Sequence, residues 1–296
     1  MTFGDIIVNQ VLSGLVIASN FFLAAAGLTL IFGIMGVLNN AHTCFYMIGA
    51  YLIWTFHQVL RPGPFIFWIG TILSLLVLAG IGWIIERLLM RKLYSRPFPE
   101  ILLITFALLY ILEDMVKITW GTLTRTIPVP MGFDRPINIM GYIFPVYNIF
   151  LICLAIFVGA ATWLLVNKTK FGRMAIACQT NREIAGALGI PIPLVYTGIF
   201  VLGVVLAGLG GVAFAPIGYI RFGIDIDILL IAFSVLVIGG MGSFTGTILG
   251  AILCGEAYSL SLLIIPEMAT VFIFILTGII LVIRPWGLLG TAGREH

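Results

Sequence analysis

Long apolar runs recur along this chain from Ile6 almost to Ile283, and they constrain its fold more than any other feature. A helix that crosses a hydrocarbon core of about 30 Å needs roughly 20 apolar residues. Hydrophobic residues make up 61% of the chain and charged residues only 9%, with a mean hydropathy of +1.19. That composition leaves too little polar surface for a water-soluble globule. The sequence therefore predicts an integral membrane protein that forms a single domain over residues 1–296.

The apolar runs predict helices. They are rich in Leu, Ile, Ala and Gly, and they lack the alternation of apolar and polar residues that marks a membrane barrel. We expect an all-α polytopic protein with eight or nine transmembrane helices, some of them broken. The candidate spans are about Ile6–Met35, Cys44–Val59, Phe65–Met90, Ile101–Trp120, Phe144–Val166, Leu194–Ile220, Ile228–Gly240, Thr247–Leu263 and Met268–Ile283. Ile228–Gly240 is short and runs into glycines, so we expect a broken or half-inserted helix there.

Basic residues indicate the orientation of the chain. They cluster in two loops, with Arg87, Arg91, Lys92 and Arg96 in the first and Lys168, Lys170, Arg173 and Arg182 in the second. Loops rich in Lys and Arg stay on the cytoplasmic side. The N-terminus is then outside, and its first residues lack the basic region and cleavage site of a removable signal. With nine crossings, Arg284 and Arg294 are inside, and Gly121–Pro145 is an external loop.

The cytoplasmic loop at about 168–191 contains a predicted short helix. Thr180 and Glu183 have the spacing of a capping box, and Gly189 followed by Pro191 marks a helix end. A helix of about two turns is too short to be stable alone in water. The pattern fits either a docking element for another protein or an amphipathic connector on the membrane surface.

Two stripes of small residues are expected to let helices pack closely in lipid. They are Gly203, Ala207 and Gly211 with Ala215 beyond them, and Gly242, Gly246 and Gly250. Helix packing is the preferred interpretation over direct contact with a substrate. A separate similarity between Leu30–Val37 and Leu236–Ser243 fits an internal duplication or chance equally well.

Polar residues within the spans are candidates for the transport path, because burying them in a membrane is costly. Asn39, Asn40 and His42 follow the first span at the predicted membrane boundary and could form a gate or a helix-ending turn. Glu256 could line a hydrated path or bond to backbone. The fourth span carries three charged residues whose spacing allows them to pair with one another: Glu113, Asp114 and Lys117.

Missing motifs exclude several functions. The four cysteines have no ligand spacing, so packing residues are expected and no metal site. The chain contains no phosphate-binding loop and no HExxH or GxSxG motif, which argues against ATP hydrolysis by this chain and against a membrane enzyme. Its basic residues are too dispersed for nucleic acid.

Several ordered motifs resemble one family, the permease subunits of bacterial ABC importers for branched-chain amino acids, of the LivH type. The resemblance covers nearly the whole sequence. It is carried by Gly27–His42 with Tyr46–Tyr51, by Arg182–Ile190, which is similar to the family's cytoplasmic coupling loop, by Val237–Gly246, and by Arg284–Gly290.

The resemblance implies a non-enzymatic half of a translocation path for leucine-like amino acids in the bacterial cytoplasmic (inner) membrane. The implied partners are a second related permease, two cytoplasmic subunits that bind ATP and Mg, a periplasmic solute-binding protein and membrane lipid. No cofactor is expected in this chain. The implied residues for coupling to the ATPase are Thr180, Arg182, Glu183, Ala185 and Gly189.

Two departures from the family pattern leave the substrate open. Many relatives have Asn-Phe-Ala-His-Gly-Glu where this chain has Asn39-Asn-Ala-His-Thr-Cys44, and the fourth span is unusually charged. Urea, amides and small carboxylates are therefore alternative substrates. The rival from another class is a self-contained secondary transporter or channel with an ion relay through Glu113, Asp114, Lys117 and Glu256.

Overall fold

The computed structural model describes residues 3–61, 63–94, 96–139 and 142–290, and helices dominate it. Arg294, expected on the cytoplasmic side, lies outside the described residues. The elements are α1 (Phe3–Met35), α2 (His42–Val59), α3 (Ile66–Ile85), a π turn (Glu86–Met90), α4 (Arg91–Leu93), α5 (Phe98–Trp120), β1 (Pro136–Ile139), β2 (Tyr142–Pro145), α6 (Val146–Lys168), α7 (Lys170–Thr180), α8 (Arg182–Ala187), α9 (Ile192–Phe214), α10 (Ile224–Gly239), α11 (Phe244–Ile264), a 3-10 turn (Pro266–Met268) and α12 (Ala269–Ile283).

Six helical segments within the described part of the chain are long and apolar enough to cross a membrane. They are Ile7–Met35, Ile66–Leu93, Val146–Lys168, Ile192–Phe214, Phe244–Ile264 and Pro266–Ile283. The predicted helical polytopic membrane protein is confirmed. Helix α5 carries several charged side chains and α10 has only 16 residues, and neither belongs to the six. The number of eight or nine crossings stays a prediction.

Helix α1 is the centre of the bundle. Its 33 residues extend about 50 Å, which is longer than a hydrocarbon core of about 30 Å. It packs along α6, α9, α10 and α11. Leu23, Ala26 and Leu28 in its middle have no exposed surface, so protein and not lipid surrounds this part of the helix.

The first cluster of basic residues is more helical than we expected. Helix α3 continues through the π turn into α4, so Arg87 and Arg91 lie within a helical segment that reaches Leu93. The Arg87 guanidinium lies 5.2 Å from the centre of the Trp83 ring, and Arg91 pairs with Glu86. The Trp83 ring stabilises the charge of Arg87, and the Glu86 carboxylate stabilises that of Arg91. The helix can therefore continue past Met90, where we had predicted that the span ends.

Helices α2 and α10 both begin inside the bundle. The His42 ring at the start of α2 lies against Gly27 of α1, about 12 Å along the helix from its end at Met35. Ile228 in the first turns of α10 packs with Ala24 and Tyr46 at a similar depth. The polar residues before α2 are therefore not at a boundary, as we had expected, but in the protein interior.

The segment predicted as an external loop contains a small antiparallel hairpin that we did not expect. Its strands, β1 and β2, pair Pro136 with Pro145 and Ile139 with Tyr142. Earlier in the same segment, Arg125 forms an isolated bridge with Ile220, and its guanidinium lies 4.6 Å from the centre of the Trp54 ring. These contacts tie the loop to the ends of α2 and α9.

The two similar segments that raised the question of duplication lie side by side. A Cβ atom placed on Gly33 of α1 would lie 3.0 Å from the Cα atom of Gly242, just after α10. Both helices end in a glycine with positive φ, at 67° for Gly36 and 102° for Gly240. The similar sequences thus form similar helix ends at the same end of the bundle.

Candidate functional site

The predicted coupling loop folds as two helices and not as one. Thr169 caps α7, where its hydroxyl accepts a hydrogen bond from the Gly172 amide at 3.1 Å. Asn181 caps α8 and accepts from the Ile184 amide at 2.9 Å. The predicted capping box of Thr180 and Glu183 was therefore wrong. The Thr180 hydroxyl donates instead to the Ile176 carbonyl at 3.0 Å, within the last turn of α7.

The end of α8 follows the sequence prediction. Gly189 has a φ of 81°, the left-handed conformation that glycine adopts without strain. The Ile190 amide donates to the Ala185 carbonyl at 3.1 Å, and the Gly189 amide donates to the Gly186 carbonyl at 3.0 Å. This pair of bonds is the Schellman motif, which satisfies carbonyls that a helix end leaves free. Helix α8 is thus fixed at both ends.

The exposed face of α8 is partly apolar. Ile184 and Leu188 are 58% and 76% exposed, and they lie one turn apart. Arg182 and Glu183 are also exposed, as is Gly189. Ala185, by contrast, is 2% exposed and faces this chain. An approaching protein would therefore meet Ile184 and Leu188, and not the Ala185 side chain that we had expected to dock.

Arg182 connects α8 to the membrane helices. Its guanidinium donates to the Tyr94 carbonyl at 3.2 Å and lies 5.6 Å from the centre of the Tyr196 ring. The Tyr94 and Tyr196 rings themselves pack edge to face with centroids 5.1 Å apart. Tyr94 follows α4 and Tyr196 lies near the start of α9, so one arginine contacts both helical segments.

A buried carboxylate extends this contact. Glu86 has no exposed surface and sits at the start of the π turn. It accepts hydrogen bonds from the Thr197 hydroxyl at 2.6 Å and the Tyr94 hydroxyl at 3.2 Å, and the Arg91 guanidinium lies 3.5 Å away. Arg91 also donates to the Thr197 hydroxyl at 3.0 Å. We call Glu86, Arg91, Tyr94, Tyr196, Thr197 and Arg182 the coupling network.

Burial and the neighbouring Glu86 carboxylate raise the pKa of the Tyr94 phenol, so Tyr94 stays a hydrogen-bond donor.

Sequence reasoning missed most of this network. A sequence signal was present, because Glu86 stands at the end of an apolar run with Arg91 five residues later. In an α-helix, residues that pair on one face are three or four apart, so a spacing of five was not considered. The π turn changes that spacing, and π turns are frequent at functional sites.

A cavity of about 450 Å³ opens beside the network. It lies between the end of α1, the α7–α8 junction and the segment after α12, and its lining includes Gly33, Gln179, Thr180, Arg182 and Trp286. The cavity therefore separates the start of α8 from the end of α1.

The polar residues just before and at the start of α2 are buried together. Asn39, Asn40 and His42 are at most 3% exposed. The Asn40 side-chain Nδ2 donates to the Thr105 hydroxyl at 3.2 Å, and the Asn39 side-chain Oδ1 accepts from the backbone amide of Ala41 at 3.1 Å. The His42 ring is fully buried and lies against the backbone of α1 at Ala24 and Gly27.

The charged residues of α5 separate instead of pairing with one another. Glu113 is 7% exposed and faces Asp225 and Cys44, which are themselves joined by a thiol-to-carboxylate contact of 3.1 Å. Asp114 is exposed, and the Lys117 ammonium lies 6.0 Å from the centre of the Phe222 ring. The self-pairing that we expected on one helical face is therefore wrong.

Glu256 lies in another part of the protein. Its carboxylate packs against Gly14 of α1, and its Oε2 atom is buried without a hydrogen-bond partner. The structure does not bring it together with Glu113, Asp114 and Lys117 through any contact between described residues. The ion relay through these four residues stays a prediction.

The small residues line three close helix crossings. Gly203 meets the Gly27 backbone of α1, and Gly211 meets the Tyr46 carbonyl of α2. Ala207, between them on α9, has no exposed surface. On α11, Gly246 and Gly250 approach α10 at Gly239 and Val235. Gly242 does not continue this stripe, because it lies in the turn between α10 and α11 with a φ of 83°.

Comparison with known proteins agrees with this architecture. The family described as "Branched-chain amino acid transport system / permease component" matches residues 10–283. The chain is 28% identical to the high-affinity branched-chain amino acid transport system permease protein BraD of Pseudomonas aeruginosa, with 95% of each chain covered. It is 27% identical to the corresponding protein LivH of Escherichia coli K12, again over 95% of each chain.

A more distant relative also matches over nearly its whole length, and one solved structure has a similar fold. A probable branched-chain amino acid transport permease protein LivH of Methanocaldococcus jannaschii is 25% identical over 97% of this chain and 94% of its own length. Among solved structures, PsaBC from Streptococcus pneumoniae in complex with Fab matches with a TM-score of 0.50 and 14% identity over 95% of each chain, which supports the fold alone. The helical polytopic architecture, the ordered motifs and the full-length family match together show that this chain belongs to the permease components of branched-chain amino acid transport systems.

Proposed function

We propose that this permease forms one half of the translocation path of an ATP-driven importer for branched-chain amino acids in the bacterial cytoplasmic membrane. Its proposed partners are a second, related permease, two cytoplasmic ATP-binding subunits and a periplasmic solute-binding protein. The single observation that carries the proposal is the coupling network, in which Arg182 of an exposed short helix contacts Tyr94 and Tyr196 beside the buried Glu86.

The network suggests how force from a cytoplasmic partner reaches the membrane helices. ATP-driven closure of the partner subunits would push α8, and Arg182 would carry that displacement to both Tyr94 and Tyr196. Because Glu86 bonds to Tyr94 and to Thr197, the end of the α3–α4 segment and the start of α9 would move as one body. Such movement drives transport only if the closed, ATP-bound subunits bind one of the two permease conformations more tightly than the other.

The proposed substrate is a leucine-like amino acid. Relatives that match across the whole chain are named as branched-chain amino acid permeases, which supports this class. Urea, amides and small carboxylates remain the alternatives to compare in a transport assay, because Cys44 and the charged residues of α5 depart from the family pattern.

Reconstitution tests the energy source. We expect uptake of radiolabelled leucine into proteoliposomes only when this chain, its partner permease, both ATP-binding subunits, loaded binding protein and ATP are all present. A variant of the ATP-binding subunits that cannot hydrolyse ATP is the control. Uphill uptake of leucine by this chain alone would overturn the proposal in favour of a secondary transporter.

The docking face of α8 can be tested separately. Leu188→Glu places a charge on a side chain that is 76% exposed, so folding should survive while association with the ATP-binding subunits is lost. The matched control is Met131→Glu, which is 70% exposed and lies on the opposite end of the bundle. We expect co-purification of the ATP-binding subunits to fall for Leu188→Glu only. Equal recovery with both variants would rule out α8 as the docking element.

A further inference from the structure

A second cavity lies far from the coupling network, along the first half of α1. It has a volume of about 710 Å³, which is within the range of small-molecule sites. Its wall includes Val16 and Phe21 of α1, whereas the cavity beside the coupling network begins at Phe32, roughly 20 Å further along the same helix. We call it the α1–α10 cavity, because α10 forms the facing wall.

Most of this wall is apolar and fixed in place. Four apolar side chains of the wall have an exposed fraction of 8% or less each, so packing in the bundle sets their positions: Val16, Phe21, Ile228 and Ile231. A wall of branched aliphatic and aromatic side chains favours an apolar ligand group, and each buried methylene adds to its affinity.

The rest of the wall carries an ion pair. Arg221, before α10, donates to the carboxylate of Asp227 in the first turn of α10, and both side chains are about half exposed, at 50% and 53%. A solvent-exposed ion pair contributes little to folding stability. Both side chains line the cavity, however, so a ligand in it would meet one positive and one negative group.

We propose that the α1–α10 cavity binds the transported amino acid, with Arg221 holding its carboxylate, Asp227 its ammonium group and the apolar wall its side chain. This inference rests on the proposed function and names the residues that recognise the substrate. A zwitterion carries the same two charges as the ion pair, so it can replace each partner by a charge-assisted hydrogen bond when the pair opens. An amide or urea lacks both charges, and a simple carboxylate lacks one.

Neutralising the pair tests the proposal in the complete importer. We expect Arg221→Gln and Asp227→Asn each to lower uptake of radiolabelled leucine by at least about tenfold, because each removes a charged hydrogen bond to substrate. Stimulation of ATP hydrolysis by the binding protein should stay within about twofold, because neither residue belongs to the coupling network. The matched control is Arg96→Gln with Glu100→Gln, an exposed ion pair outside the cavity.

Exchanging the two charges separates recognition from a structural role. Arg221→Asp combined with Asp227→Arg restores an ion pair but reverses the direction of the bound zwitterion relative to the apolar wall. We expect leucine uptake to remain low in this double variant. Recovery to the uptake of the unchanged protein would show that the pair only stabilises the fold, and would overturn the proposal.

Substrate protection provides a test that leaves the ion pair intact. Cys153 is the exposed cysteine, while Cys44, Cys178 and Cys254 are buried, so Cys153→Ala gives a background of low reactivity. Leu230→Cys then places a thiol in the cavity at a position that is 47% exposed. We expect leucine to slow its modification by a water-soluble thiol reagent severalfold, and equal concentrations of leucinamide or 4-methylpentanoate to have no effect.

Met131→Cys is the control, because Met131 is 70% exposed, lies in the loop between α5 and β1 and does not line the cavity. Its modification should not change with leucine. Absence of protection at Leu230→Cys would refute the site even if the importer works. Failure of the unchanged complex to take up leucine with ATP would instead refute the proposed function, so the two failures are distinguishable.

Discussion

At the scale of single residues, Glu86 is the position on which the most interactions depend. Its carboxylate is fully buried and is shared by Arg91 and Tyr94, in and just after α4, and by Thr197 of α9. A buried charge that loses its partners is far more costly than an exposed one. Glu86 therefore holds the π turn, the residue after α4 and the start of α9 together.

Glu86→Gln keeps the shape of this side chain and removes its charge. We expect a loss of about 1–3 kcal/mol in the free energy of unfolding, because charge-assisted hydrogen bonds become neutral ones. Thermal unfolding of the purified protein in detergent measures this change. Glu100→Gln is the control, since the Glu100 side chain is half exposed and pairs with Arg96 at 3.7 Å. Equal loss of stability in both variants would contradict the importance of Glu86.

At the scale of helices, the sequence predicted the elements better than their junctions. Apolar runs must form helices in lipid, so most spans were placed correctly. The start of α8 was wrong by one residue because Thr180 and Asn181 can both cap a helix, and the choice depends on where α7 ends. The interior starts of α2 and α10 could not be predicted, because they depend on contacts with Gly27 and Ala24 of α1.

The crossing of α9 with α2 provides a test at this scale. A side chain on Gly211 would collide with the Tyr46 carbonyl, and a backbone atom in a helix cannot move aside alone. We expect Gly211→Leu to destabilise the protein by about 3 kcal/mol or more through overpacking, and to reduce its yield from membranes. Gly80→Leu on α3 has open space around it and should be tolerated. Normal yield and unfolding temperature for Gly211→Leu would show that the crossing is not close.

At the scale of the whole molecule, the arrangement of loops follows charge. The helices α7 and α8 carry Lys170, Arg173 and Arg182 at one end of the bundle, while the hairpin and Met131 lie at the other. The positive-inside rule then assigns α8 to the cytoplasm and Met131 to the outside. This orientation is also what the proposed coupling to cytoplasmic ATP-binding subunits requires.

Single cysteines can report the orientation in intact cells. In the Cys153→Ala background, we expect a membrane-impermeant thiol reagent to label Met131→Cys at once and Leu188→Cys only after permeabilisation. Both positions are at least 70% exposed, so a difference in labelling reports the side of the membrane and not burial. Labelling of Leu188→Cys in unpermeabilised cells would mean that the chain is inserted the other way round.

The contact between Gly33 and Gly242 has a consequence for how this sequence can evolve. A methyl group on Gly33 would fit tightly, because the Gly242 Cα atom is only 3.0 Å from where that group would stand, and Gly242 itself has a φ of 83° that favours glycine. An alanine at Gly33 would become acceptable only after a compensating shift of the turn that contains Gly242. Natural variants of this protein should therefore keep Gly33 glycine wherever the spacing of that turn is preserved, and should change the two sites together when they change at all.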